Sequence, residues 1–272
     1  MKRKTVVAGY FYPSEKRELL KFMPEKKKDL LNVIGAILPH AGYIYSGWVQ
    51  KEVYSRIKIP ENVVILGVNH NGIGDDVALS ESESWETPFG DIEINKEISN
   101  RLCEISNIFS YSETAHAREH SIEVQLPFIK YLNKNSKIVP ISILNYNIKI
   151  LKEIGNALSE IKKDFPEILV IASSDFSHYE PQKITEKKDK LAIEKILNID
   201  PEGLYEVVFK NNISMCGIAT VTSLLFFLKN EGIKKGELIK YQTSGDISGD
   251  YSSVVGYAGT VSYTHLTLPT KA

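Results

Sequence analysis

The sequence predicts a single α/β domain in three layers, a central sheet flanked by helices. Two observations carry this. Four short runs, Ile34–Pro39 (IGAILP), Asn62–Val68 (NVVILGV), Lys137–Leu144 (KIVPISIL) and Glu167–Ser173 (EILVIAS), are rich in β-branched residues and almost continuously apolar. Strands buried on both faces have that character. Between and after them lie stretches with apolar residues at helical spacing, and strands alternating with helices make a sheet covered by helices.

In chain order, strands at Ile34–Pro39 and Asn62–Val68 come first. Helices at Ile94–Ile105 and Ser121–Leu132 follow, with Ser121 placed to cap the second. After the strand Lys137–Leu144 comes the helix Ile148–Lys163, then the strand Glu167–Ser173. Glu186–Leu197 and the more apolar Gly217–Lys229 read as two further helices, and Glu237–Thr243 and Ser252–Val261 return to strand. No Pro/Gly/Ser-rich linker, repeat or low-complexity segment divides the chain, so residues 1–261 read as one domain. From Ser262 onward the pattern is incoherent (the chain closes VSYTHLTLPTKA). It resembles translated sequencing-adapter read-through, and residues 262–272, with His265, are set aside as a non-native tail.

Composition narrows the function. Of 272 residues, 43% are hydrophobic and 25% charged, an ordinary globular balance. Lys plus Arg total 33 against 34 acidic residues, a net charge of −1. Nucleic acid and acidic membranes select a basic surplus, so neither is an expected partner; Lys26–Lys28 reads as a solvated face. The apolar stretch after Met1-Lys2-Arg3-Lys4 is too short for a signal peptide, and the uncharged Tyr251–Thr270 is too rich in Ser, Thr and Gly to cross a bilayer. Cys103 and Cys216 form no CxxC pair, so neither a disulfide framework nor a zinc finger is expected. A soluble protein of a reducing cytoplasm, acting on a small molecule or peptide, is the expectation.

The histidines carry most of the information. His40 follows the first apolar run and His70 the second; Asp175 and His178 follow the fourth in the phrase SSDFSH. In open α/β sheets ligands bind beyond the carboxyl ends of the strands, so these groups are expected to converge. Gly42, Gly47, Gly67, Gly72 and Gly74 suit tight loops and close backbone approach. Cys216 stands at the N-terminus of the helix Gly217–Lys229, where the helix dipole favours thiolate; a small buried hydrophobe is the other reading. Cys103 reads as core. His116-Ala117-Arg118-Glu119-His120 is a literal inverted-zincin pattern, but a helix starting at Ser121 would leave His120 in a loop and His116 at the surface or in a loop. P-loop, dinucleotide, HExxH and nucleophile-elbow patterns are absent.

Seven segments then carry a resemblance: AGYFYP at 8–13, PHAGYIYSG at 39–47, GVNH at 67–70, TPFGD at 87–91, EHSIEVQLPF at 119–128, SSDFSH at 173–178 and MCG at 215–217. In this order they resemble the Memo-like family (mediator of cell motility, also called AmmeMemoRadiSam system protein B). The resemblance implies a fold like that of class III extradiol dioxygenases, which bind non-haem iron. It implies that His40, His70 and Cys216 form the metal set, with Asp175 and His178 lining the same vestibule. It also implies iron or copper and a redox role. Those dioxygenases use two histidines and a carboxylate; Cys216 in the third place sets this chain apart from ring cleavage. Animal relatives are described as adaptors for phosphotyrosine peptides, a partner that nothing in this sequence suggests.

Two imidazoles and a thiolate suit iron, copper or zinc and disfavour magnesium and calcium. His178 is then the expected acid–base residue, and Asp175 a group that orients an imidazole or a bound water. His120 and Glu123 are expected to approach from the helix near Ser121. The leading expectation is a metal-dependent redox or oxygenase-like enzyme. Its alternatives are a non-catalytic peptide- or small-molecule-binding protein in the same pocket, a zinc hydrolase, and last the inverted zincin.

Overall fold

Four parallel strands form the centre of the sheet: β1 (Gly35–Leu38), β2 (Asn62–Val68), β3 (Lys137–Ile143) and β4 (Ile168–Ser173), in the order β3-β2-β4-β1. Strand β5 (Glu237–Thr243) pairs antiparallel with β6 (Val254–Ser262), which pairs antiparallel with β1. Short strands at Val77–Leu79 and Ile92–Ile94 extend the sheet beyond β3. The computed structural model describes residues 1–25 and 29–263. Lys26–Lys28 and tail residues 264–272, His265 among them, lie outside that range.

Alternate strand residues feed separate cores, the physical reason these runs are continuously apolar. Val64, Leu66, Ile37 and Val170 join one core, while Val63, Ile65, Leu38 and Leu169 join the other. A buried Val, Leu or Ile contributes about 1.5–3 kcal/mol relative to an exposed one, so a strand with both faces filled is held firmly in register. Helices α1 (Tyr43–Tyr54), α2 (Lys96–Ile105), α3 (Leu126–Leu132), α4 (Ile148–Asp164), α5 (Gln182–Leu197), α6 (Pro201–Lys210) and α7 (Ile218–Asn230) cover the two faces. α4 and α7 pack on the first core, α1 and α3 on the second. Asn95, Asn147 and Asp200 cap α2, α4 and α6 by accepting from main-chain nitrogens of the first turn. Among the described residues no helix is long and apolar enough to cross a membrane.

The structure corrects several expectations. Gly47 lies inside α1, not in a loop: a Cβ there would come within 3.0 Å of Tyr43 and 3.1 Å of Phe22. Helix α3 begins at Leu126 rather than Ser121. Pro127 sits in its first turn, where its missing N–H costs nothing, and Ser121 Oγ instead donates to Val68 O at 3.0 Å. Strand β6 runs through Ser262, whose carbonyl accepts from Ile34 N at 3.0 Å, so the sheet takes one residue of the segment set aside.

Candidate metal centre

Parallel neighbours end at the same edge, and there the polar groups collect. His40, His70 and Asp175 each stand two residues beyond the end of β1, β2 and β4. His120 joins them from the turn ahead of α3. One nitrogen from each of His40, His70 and His120 falls within 4.8 Å of the other two, and the rings of His70 and His120 are stacked with centroids 4.7 Å apart. A cavity of about 490 Å³ opens over them, and Phe11, Asp175 and His178 line it too.

Hydrogen bonds assign the tautomers. Ser173 Oγ spends its proton on Ser121 O at 2.7 Å, so it accepts from His40 Nδ1 at 2.9 Å. His40 Nε2 is left with its lone pair. Glu119 Oε1 accepts from His70 Nδ1 at 2.9 Å, and Oε2 from His70 N at 2.7 Å, leaving His70 Nε2 free. The same Oε1 accepts from the main-chain nitrogens of His120 and Ser121, each at 2.9 Å, and lies 3.4 Å from His120 Nδ1. Burial works against the Glu119 charge, but the His70 hydrogen bond and the surrounding donors outweigh it and hold its carboxyl down at about 2. Burial, reinforced by the neighbouring histidines, holds the His40 ring neutral, its pKa well below the usual imidazole range. Neutral imidazoles with fixed Nδ1–H are what a metal ion requires.

Cys216 sits beside this group rather than within it. Its Sγ lies 3.2 Å from His40 Nε2 and accepts from Asp175 N at 3.2 Å. The helix start does not make it a thiolate here: burial, and then the Asp175 charge, push the thiol well up. Asp175 Oδ1 accepts from His40 N at 2.8 Å, an orienting contact to the main chain rather than to a ring. His178 donates Nδ1–H to Ser214 O at 2.8 Å and lines the cavity wall.

Two residues go elsewhere. Glu123 is wholly buried and faces away from the cavity: its carboxylate takes Arg3 at 2.7 Å, Val6 N and Val7 N at 3.0 Å and the Tyr12 hydroxyl at 2.9 Å. That carboxylate is committed to anchoring the N-terminal segment, so Glu123 lines no part of the site. Arg3 also donates to the carbonyls of His116 and Glu119, and Phe11 from the anchored segment packs on His120 with centroids 4.6 Å apart. His116 is fully buried against Trp85, with Nε2 3.0 Å from Ala78 O. It is neither a surface residue nor a partner of His120 in a zincin helix, since no helix forms over 116–120.

Sequence reasoning missed Glu119 as the support of His70, and the N-terminal anchor. The signal for the first was the adjacent acid and imidazole in EHSIEVQLPF; the second had none, because Arg3 and Glu123 are joined only by the fold.

Comparison with known proteins adds the family. The sequence matches the family model described as Memo-like protein over residues 3–261. It is 44% identical to a MEMO1 family protein of Desulfurococcus amylolyticus, covering 94% of this chain and 97% of that protein. It is 40% identical to one of Methanopyrus kandleri, covering 96% and 99%. Among solved structures it is similar to an uncharacterized protein from Escherichia coli K12, with a TM-score of 0.57 and 13% identity over 84% of this chain and 98% of that one. That likeness shows the fold alone.

Proposed function

Because the chain belongs to the Memo-like family, we propose that its sheet edge holds a redox-active metal, iron or copper, and acts on a small molecule in the cavity above. The observation that carries this is the group of three imidazoles, with nitrogens within 4.8 Å of one another and with the Nδ1 atoms of His40 and His70 already engaged. His40, His70 and His120 would hold the ion, with Cys216 as a fourth donor. Cys216 Sγ lies 3.2 Å from His40 Nε2 but outside the trio of nitrogens, so it would have to turn toward the imidazoles to add its sulfur. Nitrogen and sulfur donors favour iron, copper or zinc over magnesium and calcium. When bound, iron or copper would supply electron transfer or Lewis acidity at this point.

The surrounding residues have separate tasks. Glu119 and Ser173 hold two imidazoles in one tautomer. His178, with Nε2 free, accepts or returns a proton on the cavity wall. Asp175 fixes the His40 main chain and the Cys216 sulfur. Both cysteines are free, which suits a reducing compartment such as the cytoplasm. The test is metal analysis of protein purified anaerobically, followed by copper loading and a visible spectrum. Stoichiometric iron or copper is expected, with a thiolate-to-copper band that Cys216→Ser removes. Stoichiometric zinc, or no tightly held transition metal, would reject the redox reading.

A further inference from the structure

The cavity over the three imidazoles carries aromatic rings and acids beside the imidazoles themselves. Phe11, Tyr45, Tyr179 and Tyr257 line it with Asp175 and Asp250, and among the described residues no lysine or arginine does. Tyr257 is only 2% exposed, yet its hydroxyl makes no hydrogen bond to another described residue. The ring is buried while the hydroxyl is reached from the cavity, where a ligand atom can take its hydrogen bond. Tyr179 adds an independent sign. Its φ is 59°, a left-handed conformation that bulky residues avoid, and its side chain is 77% exposed on the cavity wall. Strain of this kind persists where the surrounding structure enforces it, commonly at ligand clamps. Asp250 is oriented through Oδ1, which accepts from Ser252 N at 2.9 Å and Ser252 Oγ at 2.6 Å; Oδ2 makes no such bond.

We propose that this cavity binds a small molecule bearing a protonated amine, held by the rings of Tyr45 and Tyr179, the Tyr257 hydroxyl and the Asp250 carboxylate. Aromatic faces attract cations, and the unpartnered Tyr257 hydroxyl offers an acceptor. A carboxylate or phosphate would instead meet two carboxylic side chains on a wall whose basic groups are imidazoles, with no lysine or arginine among the described residues. The proposal rests on reading the cavity as the ligand site of the centre described above, but not on which metal that centre holds.

The test uses the full chain stripped of metal by a chelator, at neutral pH, with calorimetric titration of four probes sharing one ring: benzylamine, benzyl alcohol, benzoate and phenyl phosphate. Benzylamine is expected to bind at least about tenfold tighter than benzoate or phenyl phosphate. Asp250→Asn should bring it to within about threefold of benzyl alcohol, and Tyr257→Phe should weaken it at an unchanged unfolding temperature. Equal or tighter binding of either anion, no measurable binding of any probe, or an undiminished preference for the amine in Asp250→Asn would overturn the proposal. Since metal is absent throughout, these outcomes are independent of the metal analysis: either result can fail while the other stands.

Discussion

Glu119 holds His70 twice, taking its main-chain nitrogen at 2.7 Å and its Nδ1 at 2.9 Å. One carboxylate thereby fixes the position, ring orientation and tautomer of a candidate ligand. Outer partners of this kind are typically worth about 10–100-fold in metal affinity. Glu119→Gln is therefore expected to weaken metal binding by about that factor in chelator competition, with the fold retained by circular dichroism. Unchanged affinity would show that His70 needs no such support.

The buried pair Arg3–Glu123 ties the N-terminal segment to the loop that carries Glu119 and His120. Removing one partner leaves a buried charge without compensation, at a cost of about 3–5 kcal/mol. Glu123→Gln should lower stability by that amount in urea unfolding. The double variant Arg3→Met/Glu123→Gln should lose at least about 0.5–3 kcal/mol less than the sum of its singles. Strict additivity would mean that the two residues act separately.

His116 gives the protein a pH dependence. Burial lowers its pKa to about 4, below the roughly 6.5 of an unfolded chain. Between those values the unfolded chain takes up a proton that the folded one refuses. The stability tied to this group is thus fully present above about pH 6.5 and falls as the pH drops toward 4. From pH 7 to pH 5 the loss from this residue is about 2 kcal/mol. His116→Gln can still donate to Ala78 O but cannot be protonated. It should be less stable at pH 7 and lose about 2 kcal/mol less than the parent on going to pH 5. An identical loss in both would place the acid sensitivity elsewhere.

The sheet and half of the site could be read from the chain because each rests on local pattern. Strands β1, β2 and β4 bury both faces and so leave unbroken apolar runs, and His40, His70 and Asp175 follow them at one fixed interval. Helix α1 escaped because Tyr, Ile, Trp, Val and Gly have modest helix propensity, and packing against the second core decides its state. The sequence places His120 at the site and Cys216 among the ligands; in the structure a His120 nitrogen lies within 4.8 Å of those of His40 and His70, and the thiol lies 3.2 Å from His40 Nε2. That placement depends on a turn held by Arg3, more than a hundred residues away, and no spacing rule reports it.

The most direct measurement is metal content per chain for the parent protein and for His40→Ala, His70→Ala, His120→Ala and His178→Ala, all purified under one anaerobic protocol. A three-imidazole centre predicts a full load in the parent and in His178→Ala, and loss of most of the metal in each of the other three. A full load in His120→Ala would contradict it and return the third place to Cys216; loss in His178→Ala would make His178 a ligand rather than a base.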